Sequence, residues 1–396
     1  MTFIAAFLGW TLDAFDFYLL YHSASNLSFH FNLLYENFLI IINIISITAE
    51  FQMKPSDIAT SITVTLLLCP VGALIFGILA DKYGRKYPLI ADIILYSVVE
   101  LASGFAPNFH VFVALRAIFG IAMGGKWGLG AALAMETLPL ECRGLFSEIL
   151  QQGYPTGYLI AAIFYYAVIK TLGWRAMFWV GSFPALVVVY IRFFVPESKA
   201  WEKTRESRRS NTFNELKKVI KDHCLKIIHT TLLMASFGFA SHGTQDLFPT
   251  FLKIQLLFSP EDIAITTVIA NIGSIIGGTI CGYLSQYLGR RKMVVISMIF
   301  AGAFLPLIAI PVNKSLVTFG AFAGACGILP AHLNELLPSR YRGTFPGLTY
   351  HLGILIASSS TQIEALLGEA FPKSGEQKHV NFMETEISPV EDIEVV

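Results

Sequence analysis

The stretch that decides the fold is Gly77–Lys86, which reads Gly-Ile-Leu-Ala-Asp-Lys-Tyr-Gly-Arg-Lys and lies between two long apolar segments. Its glycines favour a tight turn between helices, Asp81 can cap or pair across helices, and the basic cluster indicates a cytoplasmic loop. A degenerate copy, Gly-Tyr-Leu-Ser-Gln-Tyr-Leu-Gly-Arg-Arg, begins at position 282, which is 205 residues after the start of the first motif at position 77. A helix–helix loop that recurs in this way predicts an internal repeat of two helical bundles.

The composition of the chain is that of a membrane protein. Of its 396 residues 54% are hydrophobic and only 14% are charged, whereas roughly a quarter of a soluble domain is charged. Apolar segments long enough to cross a bilayer, or nearly so, predict about eleven transmembrane helices. They lie at about 3–20, 58–80, 87–105, 111–133, 145–169, 177–195, 227–252, 264–283, 293–312, 316–330 and 345–367. The sequence therefore predicts an all-α membrane protein.

The distribution of charge divides the chain into segments. Residues 1–195 are predicted to form a six-helix bundle with an extended external loop at about 21–50, and residues 196–226 are rich in Lys and Arg, as a cytoplasmic linker is. Residues 227–371 are predicted to form a bundle of five helices, and 372–396 an acidic polar tail. A twelfth helix is expected to be missing because the tail contains no apolar run.

The most polar stretch within an apolar segment is Ser-His-Gly-Thr-Gln-Asp, at 241–246. His242 and Asp246 are separated by four residues and share a helix face. Unpaired polar groups are costly in lipid, so this face must look into the bundle or a water-filled cavity, where a polar solute could bind. The alternative is a polar seam that holds helices together.

Two further carboxylates, Asp13 and Asp16, lie in the first apolar segment. At this spacing they share a helix face and are costly in a membrane. They could carry a proton, bind a cation or pair with a basic residue; the alternative is a structural ion pair near the helix end.

Several motifs resemble those of the major facilitator superfamily. The resemblance rests on Gly77–Lys86 and its copy, on Arg116-x-x-x-Gly120-x-x-x-Gly124, and on Pro196-Glu197-Ser198. Four further stretches resemble its sialate/carboxylate:proton symporter branch, which includes bacterial sialic acid transporters and fungal lactate/pyruvate permeases. They are Phe-Leu-Gly-Trp-Thr-Leu-Asp-Ala-Phe-Asp at 7–16, Gln151-Gln152-Gly153-Tyr154, the 241–246 segment, and Pro-Ala-His-Leu-Asn-Glu-Leu at 330–336.

The resemblance implies a two-bundle fold that transports an organic carboxylate, such as lactate, pyruvate or sialic acid, together with a proton. Alternating access would move the substrate across a plasma or bacterial inner membrane. The protein would be a monomer in the lipid bilayer, without enzyme activity, nucleic-acid partner or cofactor other than the coupling proton. His242, Thr244, Gln245 and Asp246 are expected to handle substrate and proton.

Roles for other residues follow from their chemistry within such a cavity. The planar guanidinium of Arg116 suits bidentate contact with a carboxylate; the alternative is a structural ion pair. Gln151, Gln152 and Tyr154 can donate hydrogen bonds to substrate or hold helices together. Loop and gating functions are expected for Gly77, Asp81, Gly84, Arg85, Lys86, Gly289, Arg290, Asn334 and Glu335, the last two near Arg340 and Arg342.

Two positions depart from the family pattern. Lys126, in Gly-Gly-Lys-Trp-Gly, stands where relatives often have Glu, and Gly238 stands where the fungal permeases have Asn. A basic residue in place of an acid reverses a charge inside the bundle. Together with the expected loss of a helix, this keeps open a non-transporting or degenerate relative that senses or scaffolds. Within transport, a facilitator of sugars or other small metabolites is the alternative.

The sequence offers little support for other classes of protein. The five cysteines have neither disulfide-framework nor metal-ligand spacing. The nine histidines are dispersed, with no two at i,i+4, and we recognise no nucleotide-binding loop or catalytic constellation. We therefore expect neither a metal site nor an enzyme.

Overall fold

A computed structural model describes residues 3, 6–8, 11–12, 51, 55–198, 201–202, 212–245, 248, 252, 256, 258–309, 314–315, 318–319, 330–336, 341–360 and 363. Within these residues lie ten α-helices and a short 3-10 helix, Leu140–Cys142. The helices are α1 Pro55–Tyr83, α2 Lys86–Ser103, α3 Phe109–Thr137, α4 Arg143–Gln151, α5 Gly153–Phe194, α6 Thr212–Gln245, α7 Pro260–Leu288, α8 Arg290–Ala309, α9 Pro330–Leu336 and α10 Phe345–Ala357.

Four of the described helices contain stretches that are long and apolar enough to cross a membrane. A helix can do so because it satisfies its backbone hydrogen bonds internally. The four stretches are Thr63–Tyr83, Phe109–Thr137, Lys217–Ser241 and Ile265–Leu288, and two shorter apolar helical stretches are Phe178–Phe194 and Phe345–Ala357. The predicted external loop at 21–50 and the predicted tail at 372–396 lie outside the described residues.

Two helix boundaries differ from the sequence prediction. The segments predicted as separate fifth and sixth spans fall within one helical element, α5, which contains Pro184. Helix α6 begins at Thr212, inside the predicted linker, and its backbone departs from helical geometry at His223, with φ −123° and ψ 16°. Hydropathy locates the apolar part of a helix, whereas the helix itself can continue into polar sequence beyond the membrane.

The closest backbone approach within the first half is between α1 and α3. A Cβ atom added to Gly120 would overlap the Thr65 carbonyl oxygen, and one added to Gly124 would overlap the Cys69 carbonyl oxygen. The Thr65 hydroxyl also donates a hydrogen bond to the Arg116 carbonyl, at 3.1 Å. Small residues at intervals of four therefore allow the two helices to meet along their backbones.

Substitution of Gly124 by Ala is expected to destabilise the protein by about 1–3 kcal/mol, since the new methyl group must displace the α1 backbone. The measurement is thermal unfolding of the purified protein in detergent. Gly130→Ala on the same helix is the matched control, because a Cβ there meets nothing within 4 Å. Equal stability of the two variants would show that the α1–α3 contact is looser than described here.

The two loops predicted as a repeat share a glycine with positive φ at the same position. Gly84 ends the turn after α1 with φ 107°, and Gly289 ends the turn after α7 with φ 87°. Positive φ is readily available to glycine and strained for other residues. In each loop the next residue is an arginine at the start of the following helix, Arg85 or Arg290. The structure thus supports the internal repeat.

The first half, α1–α5, and the second half, α6–α10, meet on the side of the basic loops, which marks the cytoplasmic face. Helix α10 packs on α1 and α3, while α4 packs on α7. Glycines again permit this approach: a Cβ on Gly77 would meet Thr344, and one on Gly282 would meet Glu148. The interface between the halves is consequently closed near the cytoplasm.

Candidate functional site at the interface between the halves

Asp81 connects the two halves through its carboxylate. In the first half it accepts a hydrogen bond from Arg85 Nη1 at 2.7 Å. In the second half it accepts from the Gly343 and Thr344 amides, both at 3.1 Å, and from the Thr344 hydroxyl at 2.6 Å. These amides lie at the N-terminus of α10, where unpaired N–H groups and the helix dipole favour a negative charge. We call this arrangement the Asp81 latch.

Arg85 holds the latch from within the first half. Its side chain is fully buried and forms ion pairs with Asp81 and, at 3.2 Å, with Glu136. Burial alone lowers the pKa of the Arg85 guanidinium, but the two carboxylates outweigh this effect and raise the pKa above its usual value. The arginine is therefore permanently charged and fixes the orientation of Asp81.

The start of the linker is bonded to the same loop. Glu197 accepts hydrogen bonds from the Arg85 amide at 2.9 Å and the Lys86 amide at 3.1 Å, at the beginning of α2. Ser198 Oγ donates to Glu136 at 2.5 Å, and Trp201 Nε1 donates to the Asp81 carbonyl at 3.2 Å. The Pro196-Glu197-Ser198 motif was noticed in the sequence, but its partners were not.

The second half repeats the arrangement with weaker groups. Arg290 donates to Glu335 at 3.2 and 3.3 Å, to Ser285 Oγ at 2.5 Å and to Gln286 Oε1 at 3.3 Å. Gln286 takes the place that Asp81 has in the first loop, so this loop has no equivalent carboxylate. Among the described residues Glu335 pairs with Arg290; Arg340, which the sequence places near Glu335, lies outside the described residues. The side chain of Asn334 lies outside the described part of the structure.

Deeper in the interface, an aromatic pair joins one residue of each half. The rings of Trp127 on α3 and Tyr350 on α10 are stacked, with centroids 3.8 Å apart and an interplanar angle of 17°. Trp127 Nε1 donates to Gln151 Oε1 at 3.3 Å, and Gln151 also lies beside the Tyr350 side chain. We call these three residues the Trp127–Tyr350–Gln151 group.

The neighbours of this group are mainly apolar. Met234 and Leu333 are buried beside the stack, and the partly buried Tyr154 packs against them. The buried His351 ring lies beside the Gly124 backbone, which adds another contact between α10 and α3. Gln152, also predicted as a donor, points toward the α7 backbone, since a Cβ on Gly278 would overlap its amide nitrogen.

Arg116 lies within the first half. Its Nη2 donates to Glu100 Oε2 and to Ser103 Oγ, both at 2.6 Å, and Arg116 and Glu100 are both fully buried. Rings of Phe119 and Phe178 lie 4.1 and 5.1 Å from the guanidinium carbon. The structure therefore shows the ion pair that the sequence left as an alternative; contact of Arg116 with a substrate stays a prediction. Glu100 was missed, although it is an acid within a predicted span.

Lys126 also points toward α2. Its ammonium nitrogen lies 2.7 Å from the centroid of the Tyr96 ring, and the residue is 6% exposed. The reversed charge noticed in the sequence is thus accommodated between α2 and α3, whereas the adjacent Trp127 faces the other half.

The remaining predicted site residues fall outside the structural description. Asp13, Asp16 and Asp246 are not among the described residues, and only the backbone of His242, Thr244 and Gln245 is described, as the last part of α6. Their roles stay predictions. Among the described residues, no group of three or more His, Cys, Asp or Glu side chains could hold a metal ion.

Comparison with known proteins defines the class. Residues 27–359 match the Major Facilitator Superfamily, and the chain belongs to this family. The structure superposes on that of the proton:xylose symporter XylE bound to 6-bromo-6-deoxy-D-glucose with a TM-score of 0.68 and 17% identity, covering 93% of this chain and 89% of the other. These findings confirm the predicted major facilitator fold, the multi-pass location in a cell membrane and the class of transporter rather than enzyme.

Two curated relatives are consistent with the predicted branch. The carboxylic acid transporter protein homolog of Saccharomyces cerevisiae is 30% identical over an alignment of 353 positions, which covers 82% of this chain and 57% of that protein. The sialic acid transporter NanX of Escherichia coli is 29% identical over an alignment of 362 positions, which covers 88% of this chain and 82% of that protein. The chain thus spans less than two thirds of the yeast relative.

Proposed function

We propose that this protein carries an organic carboxylate across the membrane together with a proton, by alternating access. The observation that carries the proposal is the closed cytoplasmic interface, where the Asp81 latch joins two halves built on the same repeat. Two halves that meet through a small set of polar contacts can separate on one side and close on the other. The substrate cavity then opens to each side of the membrane in turn.

The carboxylate as substrate class is supported by the names of the yeast and Escherichia coli relatives. Since Glu100 already neutralises Arg116, the proposal assigns the substrate to the polar end of α6. Thr244 and Gln245 supply hydrogen-bond donors there, while His242 and Asp246 hold the coupling proton. Asp13 and Asp16 are the second candidate proton site.

The test is uptake of labelled lactate, pyruvate and sialic acid by host cells that lack their own carriers, at acid and neutral external pH. Uptake of one substrate is expected to rise at acid pH and to fall about tenfold or more in an Asp246→Asn variant, which cannot carry a proton at that position. Asp262→Asn is the matched control, because Asp262 is a surface carboxylate paired with Lys314. Its uptake is expected to be unchanged.

Absence of uptake of all three acids, from protein shown to be in the membrane, would contradict the proposal. Uptake that does not depend on pH would support the carboxylate substrate and reject the coupling to protons. Uptake of a labelled sugar instead would favour a facilitator of neutral metabolites.

A further inference from the structure

We propose that the Trp127–Tyr350–Gln151 group is an inner gate, distinct from the Asp81 latch, which must come apart before the cavity opens to the cytoplasm. The inference rests on the proposed alternating access, since it assigns a step of that cycle to named residues. It also gives Gln151 a gating function, in place of the expected hydrogen bond to substrate.

The first argument is position. Tyr350 follows Thr344 of the latch by six residues along α10, which corresponds to about 9 Å at 1.5 Å per residue. Trp127 lies ten residues before the cytoplasmic end of α3 at Thr137, a distance of about 15 Å along the helix. The aromatic pair therefore forms a second layer of closure, between the latch and the middle of the membrane.

The second argument is the way in which the layer is held together. Trp127 is 3% exposed and Tyr350 is 6% exposed, so the stack excludes water where the halves meet. Gln151 lies at the junction of α4 and α5 in the first half, accepts a hydrogen bond from Trp127 and lies beside Tyr350. Separation of α10 from α3 must break the stack and move Tyr350 away from Gln151, because Tyr350 belongs to the second half and its two neighbours belong to the first.

The third argument is that the chain contains a natural reporter behind this layer. Cys69 on α1 is 1% exposed and lies near Tyr350. Its carbonyl oxygen lies against Gly124, one turn of α3 before Trp127. We expect opening of the layer to let a reagent from the cytoplasm reach this thiol.

The experiment measures alkylation of Cys69 by a membrane-impermeant maleimide in inside-out vesicles. The full chain is used, with Ser in place of Cys142, Cys224, Cys281 and Cys326. Trp127→Ala and Tyr350→Ala are expected to increase the labelling rate about tenfold or more, because the stack and its buried area are lost. Trp127→Phe and Gln151→Leu keep most of the volume and are expected to give a smaller increase of about threefold.

The matched control is Trp179→Ala. Trp179 is also stacked on an aromatic ring, Phe105 at 5.0 Å, but that pair lies within the first half. Its labelling rate is expected to equal that of the parent. Where an Ala variant fails to accumulate as monodisperse protein, the Phe and Leu variants decide the question.

Unchanged labelling in all four gate variants would overturn the inner gate, whatever the uptake assay shows. Increased labelling in a protein that takes up no carboxylate would retain the gate and reject the substrate assignment. The labelling rate and the uptake rate thus separate failure of the gate from failure of the proposed function.

Discussion

Substitution of Asp81 by Asn is expected to reduce substrate uptake by about a hundredfold, while the protein still reaches the membrane. The amide keeps the shape of the carboxylate but removes its charge, and Arg85 loses one of its two anionic partners. Removal of one member of a buried ion pair costs about 3–5 kcal/mol, and the attraction to the N-terminus of α10 is lost as well. Of the bonds that Asp81 makes, only those to Gly343 and Thr344 join the two halves, so it is the weakening of these bonds that disfavours the conformation closed toward the cytoplasm.

The measurement is initial uptake rate per amount of membrane-inserted protein, for the substrate identified in the wild type. Glu335→Gln in the second half is the control for Asp81→Asn. Its partner Arg290 is an equivalent arginine, but the side chain of Glu335 is 37% exposed, and such pairs contribute only about 0.2–1 kcal/mol. We expect a reduction of threefold at most. Similar losses in both variants would contradict the unequal strength of the two loops.

The second large effect concerns the buried ion pair between α2 and α3. Glu100→Leu is expected to lower the free energy of unfolding by about 3–5 kcal/mol, since Arg116 remains charged in an enclosed site among phenylalanines. The double variant Glu100→Leu/Arg116→Met is expected to recover most of this loss, because two apolar side chains can replace a buried ion pair. Thermal unfolding of the purified proteins in detergent gives both values.

Uptake by the double variant then decides the function of Arg116. Transport at near wild-type rate would show that the arginine serves only the structure of the first half. A stable double variant without transport would instead support contact between Arg116 and the substrate. If Glu100→Leu proved as stable as the wild type, the ion pair would have to be weaker than its geometry indicates.

The sequence was informative where the determining interactions are local. Two glycines, a basic cluster and a long apolar segment on each side were enough to predict the loop at Gly77–Lys86 and its copy, and Gly84 and Gly289 both have positive φ. Hydropathy likewise predicted an all-α membrane protein. The end of α5 and the start of α6 were less predictable, because helix formation does not stop where apolar composition stops.

The partners of the candidate site could not be read from the sequence. Asp81 accepts a hydrogen bond from Thr344, which is 263 residues away, and no local sequence pattern indicates so distant a partner. A charged residue in an apolar segment, such as Lys126, is a clear signal in the sequence. The adjacent Trp127 is not, because an aromatic residue in a membrane helix has many possible packing partners. Glu100 carried a readable signal, as an isolated acid in an apolar span, and a search for its basic partner could have found Arg116.

The dry layer formed by Trp127 and Tyr350 has a consequence for cellular energetics. A carrier driven by a proton gradient wastes that gradient whenever a continuous file of water molecules connects the two sides of the membrane. Stacked rings with few exposed atoms interrupt such a file even when the polar loops below them are hydrated. Under the proposed proton coupling, a cell with a damaged layer would lose protons through an empty carrier, and would bear that leak at all times, including when no nutrient is present.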